Sequence, residues 1–304
     1  TLLSVVTLAA CANGTNKDIV TMKGDTITVS DFYNEIKTNQ GAQQVLFQMT
    51  INKVFEKEYG SKVSDKEVDK ELAKQKKQLG NQFDAYLAQQ GLTEETAKKQ
   101  IRSNMLLEYA VNQAAKKDIK ESDYKAAFES YTPEVTAQII KLDSEDKAKE
   151  VLEAAKAEGA DFAQIAKDNS TDTATKDKGG EVKFDSGTAD IPSQVKEAAF
   201  KLDENGISDV ITVSAGQNYS ASYYIVKLNK KTEKGSDWKK YEKRLKEIIV
   251  EGRKQDTNYI RSIIAKAMTN ANIKVKDDAF KSTFNQYLQN IGVQTSDSSS
   301  SSKK

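Results

Sequence analysis

The sequence predicts an α+β fold in which a helical domain, built from both ends of the chain, is interrupted by a compact α+β unit. Three observations predict it. Apolar residues recur at three- and four-residue steps from about residue 30 to 131, and again from Ser236 onward. Pro133 closes the first helical stretch, because the residue before a proline is pushed out of the helical region. Between the two stretches, Val135–Leu142 and Ala221–Asn229 alternate as strands do.

The chain opens with an apolar or small run from Thr1 to Ala10 that stops at Cys11, its only cysteine. Such a run is shorter than the roughly 20 residues a membrane helix needs. It fits the apolar region of a signal peptide truncated at its basic leader. Leu8-Ala9-Ala10-Cys11 resembles the bacterial lipobox, which implies a diacylglyceryl group on the Cys11 thiol and cleavage before it. Two acyl chains anchor where one binds only marginally, each buried CH₂ contributing about 0.8 kcal/mol. The alternative is a buried Cys in an ordinary N-terminal helix, against which stands the polar tether Asn13-Gly14-Thr15-Asn16.

Val20-Thr21-Met22 and Thr26-Ile27-Thr28-Val29 flank Lys23-Gly24-Asp25 and predict a hairpin. Ser30 and Asp31 read as N-cap and first-turn acid of a helix running through Phe32, Ile36, Val45, Met49 and Phe55, weakened near Gly41. Ser64-Asp65-Lys66-Glu67 is a capping box with Val63 and Val68 as a hydrophobic staple, and that helix should stop at Gly80. Leu92-Thr93-Glu94-Glu95 opens another, reaching about Lys117, and a short one follows from Asp123 to Ser130.

After Pro133 the order expected is strand Val135–Leu142, helices Glu145–Ala157 and Ala160–Lys167, and a Gly179-Gly180 turn. A short strand through Val182 and Phe184, helix Ser193–Lys201, and strands Gly206–Ile211 and Ala221–Asn229 complete the unit. From Ser236, Trp238, Tyr241, Leu245, Ile248, Ile260, Ile264 and Met268 describe one long amphipathic helix. A stripe of that kind cannot be buried by the helix alone, so it should pack back on the N-terminal helices. Ser296 to Lys304 is almost all Ser with Asp and Lys, a composition that does not build a core.

Composition excludes whole classes of activity. Among 304 residues there is no His, which removes Ser-His-Asp and Cys-His catalysis and imidazole metal sites. One Cys forbids an internal disulfide and a multi-cysteine zinc site, so neither metal nor cofactor is expected. A net charge of +1, from 46 basic and 45 acidic residues, gives no case for nucleic acid as a partner. The Lys-rich stretch Lys70–Lys77 alternates with acids and Gln on a helix face and reads as solvated surface. Lys176-Asp177-Lys178-Gly179-Gly180 lacks the spacing of a phosphate loop and reads as a turn.

The middle segment resembles a parvulin-type peptidyl-prolyl isomerase domain. The strings that carry the resemblance are Val135 to Leu142, Ala160-Asp161-Phe162-Ala163-Gln164-Ile165-Ala166-Lys167, Ser170-Thr171-Asp172 and Gly179-Gly180. Ala198-Ala199-Phe200-Lys201-Leu202, Gly206-Ile207-Ser208-Asp209 and Tyr223-Tyr224-Ile225-Val226-Lys227 continue it in order. With the lipobox, the hairpin-led helical region and the C-terminal helix, the whole chain resembles the PrsA family of foldase lipoproteins.

That resemblance implies the following organisation: a signal peptide over 1–11, a helical chaperone segment over 12–132 and a parvulin-like domain over 133–231. Residues 232–292 would complete the helical domain, with a Ser-rich tail over 293–304. It further implies a protein held by lipid on the extracytoplasmic face of the cell membrane, with unfolded or partly folded secreted proteins as partners, and it admits a homodimer.

In active parvulins two histidines and an Asp or Cys form the polar centre, and apolar residues hold the proline ring. The resemblance puts Gln138 and Tyr224 at the histidine positions and Asp172 at the acidic one, and Val182, Ile191 and Val195, with Phe184, around the ring. Both imidazoles are thus replaced, and the loop from Thr212 to Ser222 is longer than the family's. Gln and Tyr still hydrogen-bond, so the expectation is a foldase with weak or lost isomerase activity. The alternatives are a fully active isomerase, or residues with a structural role only: Asp172 capping a turn, Gln138 and Tyr224 pairing on a sheet face. A solute-binding lipoprotein is disfavoured, since it needs two lobes of repeated strand-helix units.

Overall fold

The computed structural model describes residues 17–215 and 220–289. The apolar run with Cys11 and the Ser-rich tail from residue 293 lie outside the described residues, as do 216–219 of the Thr212–Ser222 loop. The expected hairpin forms from β1 (Asp18–Met22) and β2 (Asp25–Thr28), with Gly24 at φ 89° in the turn. The first helix, α1 (Val29–Ile36), is capped by Thr28 and not by Ser30. The Thr28 hydroxyl accepts from the Asp31 N–H, and the Asp31 carboxylate accepts from the Thr28 N–H.

The helix expected to run through Gly41 is two helices. Asn39 accepts from the N–H groups of Gly41 and Ala42 and starts α2 (Gln40–Tyr59) afresh. The Ser64–Glu67 capping box opens α3 (Asp65–Leu79), which ends at Gly80 as read. A short α4 (Phe83–Gln89), absent from the sequence reading, precedes α5 (Glu94–Lys117).

The α+β part begins with α6 (Glu121–Ser130), then β3 (Val135–Leu142), α7 (Glu145–Lys156), α8 (Phe162–Asn169) and β4 (Glu181–Phe184). It continues through α9 (Ser193–Lys201), β5 (Ile211–Ala215), β6 (Ser220–Lys230) and α10 (Glu242–Gln255). The strand expected over Gly206–Ile211 is instead an isolated bridge from Ile207 to Lys227, and β5 starts at Ile211. The residues read as a long loop extend a hairpin, with Thr212, Val213 and Ser214 opposite Tyr223, Ser222 and Ala221.

The long C-terminal helix is also divided. Asp256 accepts from the N–H groups of Asn258 and Tyr259, ending α10 and capping α11 (Thr257–Asn270), and α12 (Lys281–Gln289) follows. None of the helices among the described residues is long and apolar enough to cross a membrane.

The chain divides into two compact units, Thr1–Asp118 with Gly252–Lys304, and Ile119–Glu251. The helical unit buries Phe47, Ile51 and Phe55 of α2, Ile101, Leu106 and Val111 of α5, and Ile263, Ile264 and Met268 of α11 in one cluster. The C-terminal helices thus supply part of the core their stripe required.

In the second unit all strands pair antiparallel in the order β4-β3-β6-β5. One face, with Val135, Ala137, Ile139, Val226 and Leu228, packs on α9; the other, with Ile140, Leu142 and Ile225, packs on α7 and α8. The compact unit that holds this sheet also takes in α6 and most of α10. Tyr124 stacks on Trp238 at 5.1 Å, and Phe128 and Tyr131 lie 5.8 and 5.3 Å from Tyr241.

Candidate functional site

Strand geometry decides which side chains can meet on the α+β unit, because successive residues point to opposite faces. Ala137 pairs with Leu228, Ile139 with Val226 and Lys141 with Tyr224. Tyr224 therefore shares the α9 face with Ile139, against which cluster it packs. Gln138, opposite Lys227, points to the other face and donates from its Nε2 to the Gly179 carbonyl at 3.0 Å.

Gln138 and Tyr224 are therefore not brought together. On β3 the residues that share the Tyr224 face are Val135, Ala137, Ile139 and Lys141, with Lys141 directly opposite Tyr224. The alternation of Val135, Ala137 and Ile139 marks one face of β3, but only the pairing with β6 shows that Tyr224 shares it.

Asp172 stands on the loop after α8. That loop is stitched to β3 where Tyr224 pairs: the Thr171 N–H donates to the Lys141 carbonyl at 2.8 Å, and the Lys141 N–H donates to Ser170 Oγ at 3.2 Å. The Asp172 carboxylate accepts from the Thr175 hydroxyl at 2.6 Å and the Ala174 N–H at 3.2 Å. This is the capped turn that was the alternative to catalysis, and it occupies both carboxylate oxygens.

The apolar wall is only partly available. Val195 is 0% and Phe184 1% exposed, both inside the core cluster between α9 and the sheet, so neither presents surface to a ligand. Their assignment to the proline pocket is corrected on that ground: they form the floor that supports it. Val182 and Ile191 are half-buried against the same cluster, as are Ile211, Val213 and Tyr224, with β4 and β5 at opposite edges of the sheet. An apolar surface with a phenol at its edge can hold a proline ring and donate one hydrogen bond.

The turn leading to Ile191 is held by a buried carboxylate. Asp185 accepts from Arg244 Nε and Nη2 at 2.6 and 2.8 Å, from the Gly187 N–H at 2.9 Å and from the Tyr131 hydroxyl at 3.1 Å. Burial pushes the Asp185 carboxyl up, but the Arg244 hydrogen bonds and charge outweigh it and hold it below its ordinary value. Tyr131 is raised by the same burial and by Asp185.

A second candidate lies wholly in the helical unit. Helices α1 and α2 and the stretch from Ala271 to Phe284 enclose a cavity of about 810 Å³ lined mainly by apolar side chains, among them Leu46, Met49, Ile273, Val275 and Phe284. Its rim is exposed: Val45 is 60% and Met49 51% accessible. Ile19, Val20, Met22 and Ile27 of the hairpin and Phe32 of α1 are exposed as well. Contiguous apolar surface in water marks a binding site more often than it marks accident. No motif announced it, because α2 carries apolar residues around much of its circumference and so has no sharp polar face.

A family model described as "Rotamase: PPIC-type PPIASE domain" matches residues 131–230. The chain is 61% identical over 292 residues to the foldase protein PrsA of Streptococcus sanguinis, covering 96% of this chain and 87% of that one. It is similar to the crystal structure of foldase protein PrsA from Streptococcus pneumoniae, at 55% identity and a TM-score of 0.81, over 89% of this chain and 99% of that one. A likeness to the PrsA crystal structure from Lactococcus lactis, at 39% identity and a TM-score of 0.67, covers the same shares.

Proposed function

The chain belongs to the PrsA family of foldases, and on that premise we propose that it is tethered by lipid on Cys11 to the extracytoplasmic face of the cell membrane. There it holds unfolded secreted proteins while they fold, and it isomerises X-Pro bonds weakly or not at all. The observation that carries the weak isomerase is the site face itself: Ile139 and Tyr224 stand on neighbouring strands, the Asp172 carboxylate is engaged in its own turn, and the chain has no imidazole.

Rotation about an X-Pro bond faces a barrier of roughly 18–20 kcal/mol from amide resonance. Lowering it calls for a dry apolar seat for the ring and polar groups that favour the twisted amide over the planar one. Val182 and Ile191, half-buried against the core cluster, provide an apolar seat. Polar help comes from the Tyr224 hydroxyl, the half-buried Lys141 opposite it and whatever backbone the substrate meets, a weak arrangement without an imidazole.

Holding an unfolded chain needs exposed apolar surface that tolerates many sequences, and the 810 Å³ cavity with its Val45 and Met49 rim supplies it. Measurement on residues 12–304 tests both parts. Aggregation of a denatured client should be suppressed at equimolar ratio, and exchange NMR on a short X-Pro peptide should show cis-trans rates close to uncatalysed. Absence of suppression would overturn the holding role. Fast exchange that Tyr224→Phe abolishes would restore a full isomerase. Cys11→Ser should move the protein from the membrane to the soluble fraction.

A further inference from the structure

On the foldase reading, we infer that the groove of the helical unit selects extended apolar segments that carry acidic residues, and binds them backbone to backbone along Lys274–Lys276. The stretch between α11 and α12 has the period of a strand without a partner. Residues 273–276 all line the cavity, Ile273 and Val275 half-buried and Lys274 and Lys276, alternating with them, exposed. Among the described residues, no hydrogen bond is recorded for the backbone N–H or C=O of Lys274, Val275 or Lys276. Backbone polar groups beside an apolar surface must find a partner or keep water there. An extended chain laid along this edge supplies alternating donors and acceptors, as a peptide does when it adds a strand to a sheet.

The same period sorts the incoming side chains. With residues alternating, one row enters the apolar cavity over Leu46, Met49 and Phe284, and the other faces outward beside the lysines. The charge on that outer side is set by what is already paired. Asp277, the acidic residue of the lining, accepts from the Tyr33 hydroxyl at 2.8 Å and from the Ala279 N–H at 2.9 Å. Among the described residues neither Lys274 nor Lys276 joins a salt bridge, whereas Lys281 pairs with Asp278. Two unpaired ammonium groups flanking an apolar slot favour Asp or Glu at alternate positions of the guest and disfavour Lys or Arg there.

Fluorescence anisotropy of the full chain tests this with a fluorescein-labelled peptide of alternating Val and Asp and a counterpart of alternating Val and Lys. The Asp peptide should bind on the order of tenfold more tightly at low salt, a difference that fades as salt screens the exposed charges. Lys274→Glu with Lys276→Glu, both at exposed positions, should reverse the preference without unfolding the unit. Met49→Asp should weaken both peptides, and N-methylation of the Asp peptide at alternate residues should weaken it again.

Equal binding of the two peptides, or a preference that the double reversal leaves unmoved, overturns the inference. So does sedimentation showing that the groove variants change the mass of the particle, which would assign the groove to a second copy of the chain. Client aggregation separates the two levels. Wild-type protein that suppresses aggregation without any charge preference retains the foldase reading and loses this site, whereas wild-type protein that fails to suppress it loses the foldase reading.

Discussion

Val195 is expected to act through stability rather than substrate contact, because its side chain has no accessible surface between α9 and the sheet. Val195→Ala removes two buried methyl-sized groups and should cost about 2–3 kcal/mol, read as a lower urea midpoint at unchanged slope. Ile191→Ala, at a half-buried position on the same wall, should cost less stability and more peptide affinity. A Val195→Ala protein of undiminished stability with impaired peptide binding would put the residue back in the pocket. The contrast shows what a family pattern can and cannot carry at this scale. Val182, Ile191 and Tyr224, grouped by the family pattern, pack against one cluster on one face of the sheet. Gln138, grouped with them, lies on the other face, because one residue along a strand moves a side chain to the other side of the sheet. Only the pairing of Lys141 with Tyr224 fixes that parity, and no local pattern in Val135–Leu142 encodes its partner.

At the scale of elements, caps written in short polar signals were legible and caps hidden inside apolar runs were not. The Ser64–Glu67 box and the bounds of β3 and α9 follow from their residues. Asn39 and Asp256 interrupt helices whose apolar period carries on across the break, so periodicity alone fused α1 with α2 and α10 with α11. The Gly179-Gly180 turn was read from its two glycines, and the structure supplies the reason for both. Gly180 has φ 78°, and its carbonyl accepts from the Ile139 N–H at 2.8 Å. A Cβ there would overlap the Ile139 carbonyl, and one at Gly179 would press on Ala163 of α8. Gly180→Ala therefore combines a positive φ, costing about 1–3 kcal/mol, with a backbone collision that the strand can relieve only by moving Ile139. The expected outcome is a Tm lowered more than by Gly24→Ala, whose turn also has positive φ but where a Cβ meets open space. Equal losses at the two sites would mean that the approach to β3 is not tight.

For the whole molecule, the decisive boundary is that of the α+β unit. The compact unit Ile119–Glu251 contains the 133–231 span read from the sequence and the 131–230 span of the family model, and adds α6 and most of α10. The extra residues are not ornamental, since Asp185 is buried and its charge is balanced by Arg244 of α10, with the Tyr131 hydroxyl as a further donor. A fragment of 133–231 keeps the carboxylate and the Gly187 and Thr188 donors but loses both of those partners, and with them the Tyr124–Trp238 stack. Leaving a buried charge without its partner costs about 3–5 kcal/mol, somewhat less here because Arg244 keeps 36% of its side chain in water. A fragment of 119–251 should therefore be markedly more stable at pH 7.

The pH dependence identifies the cause. In the longer fragment the Asp185 carboxyl is depressed on folding, so it contributes stability above its unfolded value, near 3.8, and that contribution drains away as pH falls through the lower folded value. Once protonated, Asp185 no longer needs Arg244, whereas the aromatic contacts of α6 and Trp238 do not titrate in acid. The gap in Tm between the two fragments, followed by circular dichroism from neutral pH downward, should begin to narrow above about pH 4, where the buried Asp185 without Arg244 protonates in the short fragment, and go on narrowing below it without closing. Asp185→Asn in the longer fragment should flatten its acid limb. A gap that stays constant through the acid range would assign the extra stability to the aromatic stack alone, and fragments of equal stability would restore 133–231 as the folding unit.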